Sequence, residues 1–296
     1  MRAACVALLV LSGCNMVKFT TNTTAKVLKV ASFSLAQESD VEFARQAAPA
    51  SLKTLEGFLL ASPGNENLIF ILARGYCEYS FGFLDDDVER LNFAGKTEEA
   101  DAVSKRATRL FLRCMNYGMK LLDKSWEKAI YGDMASFEAK VKKAGKGDVP
   151  GMFYVAQGLG SAINQNKDDI EMVAYAPKVQ LLFERIVQLD EKFSNASAHI
   201  GLGLLHASRG EALGGKPEES RKHFERAIAL TDGKFLMPKT LMAYHLGVIK
   251  QDREFFHKTL VEVLTTSPAG NPDMRLANEL AHQRARRYLA HEKELF

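Results

Sequence analysis

The sequence is poor in the residues and spacings that build reactive centres. Its four cysteines, Cys5, Cys14, Cys77 and Cys114, stand at none of the intervals that grip zinc. It contains no Gly-x-Ser-x-Gly, no His-Glu-x-x-His and no Walker loop, so nothing points to hydrolase-elbow, zincin or P-loop chemistry. Gly158-Leu159-Gly160 and Gly201-Leu202-Gly203 begin like a dinucleotide fingerprint. Each lacks the third glycine and a preceding strand, and they read as packing glycines. Strand-type alternation is scarce, which argues against a sheet. An excess of one charge is lacking too. The formal charge is +3, falling to +2 if Arg2 is removed with a leader, and both signs are interspersed. That balance suggests neither nucleic acid nor an electrostatic hold on anionic lipid.

What is present begins at the N-terminus. Met1-Arg2 precedes an apolar run from Ala3 to Leu11, then Ser12-Gly13-Cys14. Such a run is too short for a bilayer, which needs about 20 residues, and has the form of a signal peptide. Leu11-Ser12-Gly13-Cys14 resembles the lipobox of bacterial lipoproteins, where only a thiol can take the thioether to diacylglycerol. We therefore expect a leader over 1–13, lipidation at Cys14 and a polar tether over 14–36. Residues 37–296 would then form one α-helical domain. Asn15, where some inner-membrane lipoproteins carry Asp, favours the periplasmic face of the outer membrane. Cys77 and Cys114 would either pair in an oxidising compartment or stay buried as thiols.

From Ser39 onward the apolar spacing is that of helices. Ser39-Asp40-Val41-Glu42 fits a capping box, and Pro49 is expected to kink or restart the first long helix. Asp85-Asp86-Asp87 reads as a solvated helix start rather than a calcium loop. Arg284, Arg286 and Arg287 read as a solvated basic face. Phe183-Glu184-Arg185-Ile186 and Phe224-Glu225-Arg226-Ala227 lie 41 residues apart, and a weaker copy begins at Phe256. Gly210 to Pro217 is an insertion between two helices. The period resembles tetratricopeptide repeats. The expected fold is all-α, stacked antiparallel helical hairpins of a tetratricopeptide-like solenoid, without significant sheet.

No enzyme activity, cofactor or metal is expected. His199 and His206, seven residues apart, fall about 10 Å apart along a helix and would need a third ligand between them to share an ion. Stacked hairpins usually bind other molecules on a concave surface. Candidate ligand or partner contacts are Trp126, Tyr154, Gln157, Asn164, Lys167, Asp168, His199 and His206.

The sequence also resembles the T-component family of tripartite ATP-independent periplasmic (TRAP) transporters. The matching stretches include Arg106-Ala107, Arg113, Tyr117-Gly118, Asp148-Val149-Pro150, Asn166-Lys167-Asp168-Asp169 and Pro177-Lys178-Val179. They continue through His199 to Gly203, Leu213 to Pro217 and Leu276 to Ala281 with Arg284. The resemblance implies a lipid-anchored homotrimer with a central opening, partnered by a periplasmic solute-binding protein of the TRAP type. It also implies a small or hydrophobic ligand. Gly158 to Ser161 departs from the family pattern, where bulkier aromatics are expected, and leaves the ligand preference open. The other reading is a general tetratricopeptide scaffold lipoprotein for envelope assembly.

Overall fold

The computed structural model describes residues 2–208 and 214–296, with side chains from Met16 onward. The side chain of Cys14 and residues 209–213 of the expected insertion lie outside the described residues. No strand occurs among the described residues. The helices are α1 (Arg2–Ala31), α2 (Val41–Ala61), α3 (Glu66–Tyr79), α4 (Asp85–Phe93), α5 (Thr97–Lys120), α6 (Ser125–Tyr131), α7 (Met134–Lys142) and α8 (Val149–Gln165). They continue with α9 (Ile170–Val173), α10 (Ala176–Asp190), α11 (Phe193–His206), α12 (Pro217–Leu230), α13 (Met237–Lys250), α14 (Arg253–Thr265), α15 (Arg275–Ala290) and α16 (Glu292–Leu295).

Short polar side chains start many of these helices by satisfying orphan amides. Asp40 caps α2 by accepting from the amides of Glu42 and Phe43 at 3.0 Å each. Asn65, Asp133, Asp169 and Asp252 do the same for α3, α7, α9 and α14. The expected capping box does not form: Asp40, not Ser39, is the N-cap, its third helical residue is Phe43, and the Asp40 amide donates instead to Glu38. Pro49 neither breaks nor restarts α2, which runs through it.

The stretch expected to be a polar tether is helical as far as Ala31, and its second half is docked. Thr21 and Ala25 are buried, and the Asn22 carboxamide oxygen accepts from Ser62 Oγ and Asn65 Nδ2. Threonine and asparagine thus serve here as contacts to the α2–α3 corner rather than as solvated spacer.

Close approach of helices depends on glycine. A Cβ on Gly158 of α8 would lie 2.6 Å from the Phe111 carbonyl oxygen and 2.7 Å from the Met115 amide of α5. Only glycine lets two backbones meet that closely. In the C-terminal half the glycines face rings instead. Gly201 abuts Phe183, Gly203 abuts Phe224, and Gly247 abuts Phe256, each at distances no Cβ tolerates. The recurrent phenylalanines of the sequence are thus knobs, buried between consecutive helices.

α3 does not stop before Asp85. It passes through a π-turn at Ser80–Leu84 directly into α4. The widened turn rotates the faces of α4 relative to those of α3. Asp86 is therefore not a solvated start: it is buried, with Arg284 Nε 3.1 Å and Arg287 Nη2 2.6 Å from Oδ1. The expected basic face is likewise wrong for Arg284, which is 2% exposed, although Arg286 is exposed. Burial of the aspartate would be prohibitive without these guanidiniums, and each sequence run explains the other. Through this contact α15 meets α4, and it also packs on α2 and on the 3-10 turn Ser34–Gln37. The last helices thus close against the first.

Candidate functional site

Closure leaves a cavity of about 2070 Å³ whose lining runs from Leu28 on α1 to Leu295 on α16. That is larger than the roughly 300–1,000 Å³ of an ordinary small-molecule pocket. Its aromatic walls include Phe58, Phe81, Phe83, Phe153, Phe183 and Phe235. The π-turn presents Phe81 and Phe83, over which the guanidiniums of Arg284 and Arg45 sit at 4.7 and 5.1 Å.

One face of α8 supplies Phe153, Gln157, Gly160, Ser161 and Asn164 to the lining, at intervals of three and four. The residues that depart from the family pattern therefore matter physically. Ser161 leaves open a volume that a larger side chain would fill, whereas a Cβ at Gly160 would press on Val179 at 3.1 Å. Opposite polarity enters at one corner, where Lys167, His245 and Arg284 all line the cavity. Burial pushes the His245 imidazole down to about 4, and the positive charges of Lys167 and Arg284 push it the same way. Its ring is neutral near pH 7. Lys167 makes no ion pair among the described residues, whereas Arg284 is already matched by Asp85 and Asp86.

The structure brings five of the eight candidate residues to this cavity: Tyr154, Gln157, Asn164, Lys167 and His206. Three do not belong. Trp126 is 2% exposed and packs edge-on against Phe137 beneath Lys140, so it is core. Asp168 is exposed beside the N-cap of α9, a role taken by Asp169. His199 is buried away from the lining, against His223 of α12, with their Nδ1 atoms 2.9 Å apart. His223 also stacks on His206. The three imidazoles form a row rather than a shell, and no group of three or more His, Cys, Asp or Glu among the described residues is placed to hold a metal ion. Burial lowers His223 to about 4, and its two imidazole neighbours add to the effect.

The residues missed at the sequence level are mostly cavity aromatics, Phe81 and Phe83 above all. They stand two residues apart, which would put them on opposite sides of an ordinary α-helix, and both line the cavity from the π-turn. His245 carried no local signal, because its neighbours Lys167 and Arg284 are distant in sequence.

Several residues that carry the family resemblance hold helices together instead. Lys178 donates to the carbonyls of Ile130 and Gly132, which end α6. Asn278 accepts from the Leu236 amide and donates to the Lys234 carbonyl. Arg113 stands over the Tyr76 ring, and the Tyr76 and Tyr117 hydroxyls both donate to Glu56. Beside that cluster Cys77 and Cys114 form a disulfide between α3 and α5.

No curated protein matches the chain. Residues 37–296 match the family described as TRAP transporter T-component, and the chain belongs to that family.

Proposed function

We propose that this chain is the lipid-anchored, periplasm-facing accessory of a TRAP-type uptake system. In this reading it is acylated at Cys14, sits on the outer membrane and has no catalytic role. It docks a periplasmic solute-binding protein, assembles as a homotrimer and encloses a small ligand with an apolar body. The cavity inside the closed ring carries the proposal: aromatic walls suit an apolar body, and the Lys167–His245 corner suits a polar or anionic end. The Cys77–Cys114 disulfide supports an oxidising compartment.

The test is a pull-down from periplasmic extract with native mass spectrometry of the recovered complex. A solute-binding protein should be recovered, along with a small molecule that is lost in Ser161→Phe, a variant that narrows the cavity at a partly exposed position. Recovery of envelope-assembly proteins alone would instead favour a general scaffold lipoprotein.

A further inference from the structure

Most of the large apolar side chains that stay exposed lie in the first fifth of the chain. Met16, Phe19, Val27 and Val30 on α1 are 67%, 70%, 66% and 75% exposed. Their spacings of three, eight and three place all four on one side of a helix that turns 100° per residue. The opposite side, with Thr21, Ala25 and Leu28, is the one that packs on the protein. The outer side is thus mostly apolar, interrupted by exposed Thr23, and among the described residues it has no partner.

The flank of the outer stripe carries Lys26, with Lys18 and Lys29 further round the same side, and residues 16–31 include no Asp or Glu. Averaged over the whole chain the charge is nearly balanced, and that average hides this local excess. A helix with an apolar stripe, a lysine border and no acid suits an anionic bilayer surface. A second copy of this chain, itself nearly neutral, offers no such complementarity. Met16 stands two residues after Cys14, so acyl chains on that cysteine would bring the stripe to the headgroups.

We propose that the outer face of α1 lies in the membrane interface, with Met16, Phe19, Val27 and Val30 inserted among the lipids. The proposal rests on the anchor at Cys14 for its placement and adds a second contact beyond it. The diacylglycerol on that cysteine already supplies two acyl chains, which is enough for retention. The helix contact adds orientation. Leu28 and Ala31 of the same helix line the cavity, which is therefore separated from the lipid by a single helix, about 10 Å thick.

The test uses the full chain, expressed in bacteria and reconstituted into phosphatidylethanolamine–phosphatidylglycerol vesicles. An environment-sensitive fluorophore is placed on Val27→Cys, on Val30→Cys and, as control, on Lys222→Cys, which is exposed on α12. Brominated lipids should remove most of the emission at positions 27 and 30 and none at 222. Replacing phosphatidylglycerol by phosphatidylcholine should weaken the quenching. Emission at 27 and 30 unaffected by brominated lipid overturns the proposal, as does shielding of those labels by cross-linkable second copies. Mass analysis of the N-terminal peptide judges the anchor separately. Acylated Cys14 without quenching sinks only the stripe, and quenching with unmodified Cys14 sinks only the anchor.

Discussion

The two halves of the domain are held together by different means. From α10 to α14 consecutive helices nest a phenylalanine of one against a glycine of the next, at Gly201–Phe183, Gly203–Phe224 and Gly247–Phe256. From α2 to α5 the joints are specific polar or covalent links: the disulfide, the Glu56 cluster, and the Asp86 carboxylate clasped by two arginines from α15. The first kind spreads cohesion over many small contacts, whereas the second concentrates it in a few groups. The lesson is that similar helix packing can fail gradually in one half and abruptly in the other.

That contrast is open to direct attack. The largest loss is expected from Asp86→Ala, which removes the carboxylate shared by two guanidiniums and leaves Arg284 to Asp85 and Arg287 to Glu89. Breaking a buried pair in this way costs about 3–5 kcal/mol, read as a lower denaturation midpoint. Glu99→Ala, at an exposed pair with Lys96, should cost under about 1 kcal/mol. Equal losses for the two would remove the claim that Asp86 is a point of concentration.

Next comes the disulfide. Cys77→Ser with Cys114→Ser opens a link between residues 37 apart and should cost about 2–4 kcal/mol by thermal melting. Reductant should lower the melting point of the native chain by a similar amount and leave the double variant unchanged.

Acid should probe the nested half through its histidines. His223 and His245, ordinarily near 6.5, are each held at about 4, so the unfolded chain binds more protons between those values. Stability is therefore full above pH 6.5, falls as the pH drops through that window and is lowest below 4. The loss is roughly 2 kcal/mol per histidine after discounting for solvent access. His223→Asn should flatten part of the slope measured by denaturant titration at successive pH values.

The smallest effect is expected in the nested half. Gly203→Ala pushes a methyl to 2.9 Å from the Phe224 ring, an overpacking that costs about 1–3 kcal/mol. Phe224→Leu in the same chain should recover part of it. A complete failure to fold would show that the nested half is as brittle as the other.

Legibility in the sequence follows the same divide. The Phe-Glu-Arg recurrences and the packing glycines are local, and they point to the all-α fold that the structure has. The Asp85–Asp87 run and the Arg284–Arg287 run were both misread as solvated, because each makes sense only beside the other, 198 residues away. The candidate site shows the same limit. Gln157, Asn164 and Lys167 lie on or next to one helix and were found together, whereas His245, Phe81 and Phe83 reach the cavity by long-range closure and a π-turn. Trp126 misled because a lone tryptophan near a turn has the same sequence signature whether it meets a ligand or a phenylalanine.

The contact between Asp86 and Arg284 also sets an order of events. Its partners are made at opposite ends of synthesis, so the ring stays open until the penultimate helix has emerged. Neighbouring helix pairs can form at once, but there is no chamber to fill until α15 docks. Contacts of such long sequence separation form late and slowly. The compartment in which the last helix docks is thus the one whose solutes the finished chamber first meets.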